Sequence, residues 1–92
     1  MAIKQKSAAE TKAQDLGLAL ARIAESEGIP ANIGVDQLRR ASPRLTPLAV
    51  GQMVRKHLDI VEAVLAERGL TLVEYADQGP GRGMEFVIAE AA

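Results

Sequence analysis

Residues 42–70, SPRLTPLAVGQMVRKHLDIVEAVLAERGL, decide how this chain folds. Pro43 pushes Ser42 out of helical dihedrals, so any helix before it must stop there. Thr46-Pro47 then restarts one. Threonine suits the N-cap, where its hydroxyl accepts from a first-turn amide, and proline suits the first helical position, whose N–H has no partner inside the helix. No further proline follows before Gly69, which stands where a left-handed terminator is expected. The spacing predicts a helix over 47–68, about 22 residues and about 33 Å long. Val50, Val54, Val61, Val64 and Leu65, with Met53 and Leu58 at the edges, make its apolar stripe. Gln52, Arg55, Lys56, Asp59, Glu62 and Ala63 lie opposite. Gly51 weakens the first turns by about 1 kcal/mol relative to alanine, which points to close packing or to close approach by a partner.

Working back toward the N-terminus, Val35–Ala41 reads as a two-turn helix with Val35, Leu38 and Ala41 inward and Arg39 and Arg40 outward. Residues 29–34 read as a linker around Pro30, in which Ile29 and Ile33 plug the core or form a short strand. Over 9–27 a helical period returns: Ala13, Leu16, Leu20, Ile23 and Ala24 share a face. Ser7 and Glu10 have capping-box spacing, and Gly28 closes the segment. Leu18 points away, beside Gln14 and Arg22, and is the position from which this helix would seat a second subunit. Residues 1–8 show no period and read as a flexible basic arm.

Toward the C-terminus, 70–76 is rich in β-formers and 84–89 alternates Met/Phe/Ile against Glu/Val/Ala. Between them, 77–83 holds three glycines and Pro80. Two strands around such a tip make a hairpin. It holds both aromatics of the chain, Tyr75 and Phe86, and carries Arg82 near its apex. Residues 90–92 read as frayed, leaving one domain over 9–89.

Composition narrows the function classes. At 92 residues there is room for one small domain. The absence of cysteine excludes disulfides, thiolate metal sites and cysteine nucleophiles, and the single histidine argues against a histidine-built zinc site. No apolar run approaches the roughly 20 residues that span a bilayer, and the start lacks a signal-peptide core, so the expected location is cytoplasmic. The Met1 start and alanine-rich end favour a whole protein over an excised domain.

The net charge of -1 conceals segregation: 1–12 carries +2, 13–34 carries -2, 35–57 carries +4 and 58–92 carries -5. A pI near 5.8 argues against indiscriminate polyanion binding but permits one oriented basic face.

The order helix, short helix, proline turn, long helix, glycine stop and glycine-rich hairpin resembles the winged helix-turn-helix superfamily. The residues that carry the resemblance are Val35–Ala41, the turn 42–45, the helix 46–68, Glu67-Arg68-Gly69-Leu70 running into strand, and the wing Gly79-Pro80-Gly81-Arg82-Gly83. It covers about residues 9–89. The implied fold class is α+β, mostly helical, with three helices and a C-terminal β-hairpin wing, and the implied ligand is duplex DNA.

The chemistry of the residues points the same way. A helix that reads the major groove must present hydrogen-bonding groups on one face near its N-terminal half. Gln52, Arg55, Lys56 and Asp59 share such a stripe. Glutamine pairs bidentately with adenine, and arginine with guanine. Arg39, Arg40, Arg44 and Lys56 suit phosphates, together with Thr46 and the amides at the helix start. The acidic half of the helix, with Asp59, Glu62 and Glu67, should face away from DNA. Arg82, flanked by glycines, suits a phosphate or a narrow minor groove. Lys4, Lys6 and Lys12 are either a groove-following arm or a solubilising terminus.

Other readings stay open. A polar helix stripe is also what any solvated face looks like. The low pI, the acidic hairpin and the scarcity of aromatics fit a protein-interaction module on the same fold. The glycine-rich tip lacks the context and the Lys-Ser/Thr ending of a phosphate-binding loop. His57 falls on the apolar side of the long helix with no second histidine or nucleophile set, and reads as a boundary residue bonded to a carbonyl. The expectation is a non-enzymatic, cofactor-free binder of double-stranded DNA, a homodimer through the 9–27 helix, with no membrane contact.

Overall fold

The computed structural model describes residues 8–77 and 83–91. The chain runs α1 (Ala8–Glu27), β1 (Ala31–Gly34), α2 (Val35–Ala41), α3 (Pro47–Glu67), β2 (Leu70–Asp77) and β3 (Met84–Glu90). Among the described residues these make an α+β fold of three helices and one antiparallel sheet, in the order β1-β3-β2. The arm at 1–7 with Lys4, Lys6 and Ser7, and the hairpin tip with Arg82, lie outside the described residues. No helix among those described is long and apolar enough to cross a membrane.

The sheet is built around β3. Ala31 pairs with Ile88 and Ile33 with Phe86 on one side, while Leu72 pairs with Ile88 and Tyr75 with Phe86 on the other. Alternation sends Phe86 and Ile88 inward, where both are fully buried against Leu16, Leu20, Ile33, Leu38 and Leu65 of the same core. Each such side chain contributes about 1.5–3 kcal/mol by leaving water. The register shifts at Val73, between Leu72 and Glu74, and this bulge leaves Val73 60% exposed.

α1 buries more than one stripe: Ala13, Leu16, Gly17, Ala19, Leu20, Ala21 and Ala24 are all covered. It touches α3, β1, α2 and β3, and its small residues let neighbours come close on several sides. Gly17 is the tightest point. A Cβ built there would lie 2.8 Å from Val64 Cβ and 3.2 Å from the Val61 carbonyl oxygen. Glu25 of α1 meets Arg68 at the end of α3, Oε1 to Nη1, at 3.1 Å.

The expected stop of α2, with Ser42 extended before Pro43, and the expected start and stop of α3 are in place. The Thr46 hydroxyl accepts from the Ala49 amide at 3.2 Å, with Pro47 as the first helical residue. Leu45 and Val50, at the two positions of a hydrophobic staple, are both buried. Gly69, with φ of 72°, adopts the left-handed conformation that ends α3. The Gln37 side chain accepts from the Gly34 amide at 2.9 Å and donates to both carboxylate oxygens of Glu27, tying the start of α2 to the end of α1.

Several expectations need correction. α1 starts at Ala8 rather than Ala9. Of the two isoleucines expected to plug the core or form a short strand, Ile33 does both from β1, but Ile29 precedes the strand and is 41% exposed. Ala41, at the last turn of α2, is exposed rather than inward. The C-terminal end does not fray at Glu90: Glu90 pairs with Leu70, and the Ala91 amide donates to the Gly69 carbonyl at 2.9 Å. The long helix is not one rod. His57 has φ of -135° and ψ of 31°, which breaks α3 into segments 47–56 and 58–67.

Candidate functional site

The kink at His57 separates two chemically different faces. On 47–56, Val50, Met53 and Val54 are buried, while Leu48, Gln52, Arg55 and Lys56 are exposed. On 58–67, Val61 and Leu65 are buried, and the exposed residues are Asp59, Glu62, Ala63, Ala66 and Glu67. The change of charge sign along α3 therefore coincides with a change in helix direction.

Two clefts flank the 47–56 segment. On the hairpin side, Gln52 and Arg55 line one together with Leu48, Tyr75, Gly83 and Met84. On the α1 side, Gln52 and Lys56 line another with Lys12, Ala49, Met53 and His57. Gln52 is common to both. Lys12, expected with the loose leader, is an exposed residue of α1 that adds a cation beside Lys56. His57 is half-buried there, as a boundary residue should be, but no carbonyl partner for it occurs among the described residues.

Gly83 ties the hairpin to this end of the molecule. Its φ is 75°, and a Cβ built on it would lie 2.6 Å from Val35 Cγ2 and 3.4 Å from Pro47 Cβ. The base of the hairpin thus rests directly on the starts of α2 and α3. Only glycine tolerates both that conformation and that contact.

The remaining arginines divide. Arg39 and Arg40 surround a shallow depression with Asp36 and Pro43 on the outer side of α2. Arg44 instead lies over α1, beside Asp15, Leu18 and Arg22. Leu18 is half-buried in that cleft, so part of its surface is already covered within the chain. Thr46 keeps an exposed hydroxyl whose oxygen serves the cap, leaving its proton to donate outward. Among the described residues, none of Arg39, Arg40, Arg44, Arg55 and Lys56 takes part in an ion pair; the pair formed there is Arg68 with Glu25. The cations on and around α2 and the first half of α3 are therefore available to an outside anion.

Sequence reasoning missed Leu48 and Tyr75. Leu48 is 74% exposed, one turn before Gln52 on the same stripe, and the helical spacing alone could have placed it there. Tyr75 shares the inward face of the hairpin with Phe86 yet stays 42% exposed, because it stands on the edge strand β2 whereas Phe86 is flanked by strands on both sides. No cluster of three or more histidine, aspartate or glutamate side chains able to hold a metal occurs among the described residues.

Comparison with family models, curated proteins and solved structures finds no match to this chain.

Proposed function

We propose that this chain is a sequence-selective duplex-DNA-binding module of winged helix-turn-helix type. The 47–56 segment of α3 enters the major groove, and the β2–β3 hairpin lies along the backbone or the adjacent minor groove. The observation that carries this reading is the seating of Gly83 on Val35 and Pro47. It brings the hairpin base to the starts of two helices whose exposed cations lack ion-pair partners among the described residues. The element order, with β3 between β1 and β2, supports the winged layout.

In this reading Gln52 and Arg55 contact base edges, with Gln52 matched to adenine and Arg55 to guanine. Lys56, Arg39, Arg40 and the Thr46 hydroxyl hold phosphates, and Arg82 anchors the wing. Arg44, set apart over α1, reaches a phosphate only at the edge of the footprint. The 58–67 segment, acidic and turned at His57, stays off the polyanion. The module works without cofactor in the cytoplasm, as a small transcriptional regulator or a component of a plasmid, phage or chromosome DNA transaction. A homodimer through α1 would place two copies on half-sites about 34 Å apart.

The test is selection from a random duplex pool at physiological salt, followed by anisotropy titration. Arg55→Ala should lose about 1–3 kcal/mol at one base position and relax selectivity there. Arg40→Ala should weaken all sequences alike and reduce the salt slope by about one. If neither variant changes binding, the docking is wrong. The exposed Leu48, Val73 and Tyr75 favour a second reading, a protein-interaction module. Association that ignores salt, with no duplex retained, would select it.

A further inference from the structure

Leu48 is the most exposed large apolar side chain among the described residues, at 74%. The fold does not use it: the staple at the start of α3 is supplied by the buried pair Leu45 and Val50. It stands four residues before Gln52 and seven before Arg55, so the three side chains share one stripe. Beside them, Gly51 offers open space, since a Cβ built there would meet nothing within 4 Å. An apolar group, an amide and a guanidinium in one row, next to a bare stretch of backbone, match a mixed surface that is polar and anionic but carries an apolar point.

In the major groove that point is the C5-methyl group of thymine. We propose that Leu48 is a specificity-determining residue that reads a thymine methyl group, with Gly51 letting the helix backbone approach the base edges. The inference rests on the DNA-binding reading above. At about 1.5 Å per residue, Gln52 lies about 6 Å and Arg55 about 10 Å along the axis from Leu48. For a helix lying along the groove these are about two and three base-pair steps of about 3.4 Å. The thymine therefore falls two or three pairs from the purines that Gln52 and Arg55 contact. The neighbouring cations favour this occupant over a protein, because Arg55 and Lys56 have no carboxylate partner among the described residues.

The experiment uses the duplex recovered by selection. Each thymine is replaced singly by deoxyuridine, which removes the methyl group and leaves every hydrogen-bonding atom. The parent protein should bind one of these duplexes about fourfold more weakly, the worth of one buried methyl-sized group. Leu48→Ala should bind the thymine duplex more weakly by at least that factor and be indifferent to the same replacement. Leu48→Met should keep the sensitivity. Unchanged melting of both variants shows that folding is not the cause. Equal parent binding to every substituted duplex, a selected site without thymine, or a Leu48→Ala variant as sensitive as the parent would overturn the inference while leaving DNA binding standing. Loss of self-association in Leu48→Ala with unchanged duplex affinity would assign the residue to a protein contact and overturn it as well. A parent that binds no selected duplex removes both readings together.

Discussion

The two halves of α3 are built from the same kinds of inward residue but differ in what they turn outward. Segment 58–67 shows Asp59, Glu62, Ala63, Ala66 and Glu67, good helix formers that keep a face solvated. Segment 47–56 shows Leu48, Gly51, Gln52, Arg55 and Lys56. Its glycine lowers helix stability by about 1 kcal/mol against alanine, and its leucine leaves an apolar side chain in water. Natural sequences are locally consistent except where function intervenes. The second half obeys the rule and the first half breaks it twice within four residues. The difference therefore supports the proposed docking surface on 47–56 by a route independent of its charge.

The contrast extends to glycines. Gly83 fixes the start of the first half, Gly17 lets α1 close on the second, and at Gly51 an added Cβ would meet nothing within 4 Å. The largest effect should come from Gly83→Ala. A left-handed residue with a Cβ costs about 1–2 kcal/mol, and forcing it against Val35 costs about 1–3 more. A loss of about 3 kcal/mol in urea unfolding is expected, partly recovered by adding Val35→Ala. A change under about 0.5 kcal/mol, the ordinary range for surface positions, would mean that the hairpin base does not rest on α2 and α3. Gly17→Ala should be milder. The methyl overpacks the Val64 contact by about 1–3 kcal/mol, but alanine returns about 1 kcal/mol of helix propensity. Net destabilisation of about 0–2 kcal/mol follows, and Val64→Ala should relieve part of it. If Gly17→Ala stabilises instead, the second half is not the packed half and the comparison fails.

What the sequence made legible was its punctuation. Thr46-Pro47 and Gly69 set the ends of α3, and Gly28 that of α1, because caps act through the residues next to them. The features left open or missed depend on distant partners. β1 has four residues, and its inward Ala31 and Ile33 gain their place only from Ile88 and Phe86, more than fifty positions later. Gly17 looks like a helix weakness until Val61 and Val64 are brought against it. The break at His57 has no proline or glycine at the kinked residue itself to announce it. Of the candidate site, the stripe of Gln52, Arg55 and Lys56 was readable from periodicity. The separation of Arg44 from Arg39 and Arg40 was not, since it follows from how the turn at 42–46 folds back over α1. Its Leu45 amide donates to the Ser42 carbonyl at 3.0 Å and its Thr46 amide to the Arg44 carbonyl at 3.0 Å.

Gly51 yields the smallest effect and the most discriminating one. The sequence allowed two reasons for a glycine there, close packing inside the chain or close approach from outside. Open space at its Cβ position removes the first. Gly51→Ala should therefore stabilise the fold by up to about 1 kcal/mol, raising the melting temperature by roughly 4–8 °C. The same methyl projects beside Arg55, toward whatever 47–56 faces, so duplex affinity should fall while stability rises. Few substitutions separate the two so cleanly, because a destabilised variant can lose binding merely by unfolding. A rise in both would show that no partner comes near this backbone, and the contrast between the halves of α3 would then be one of composition alone.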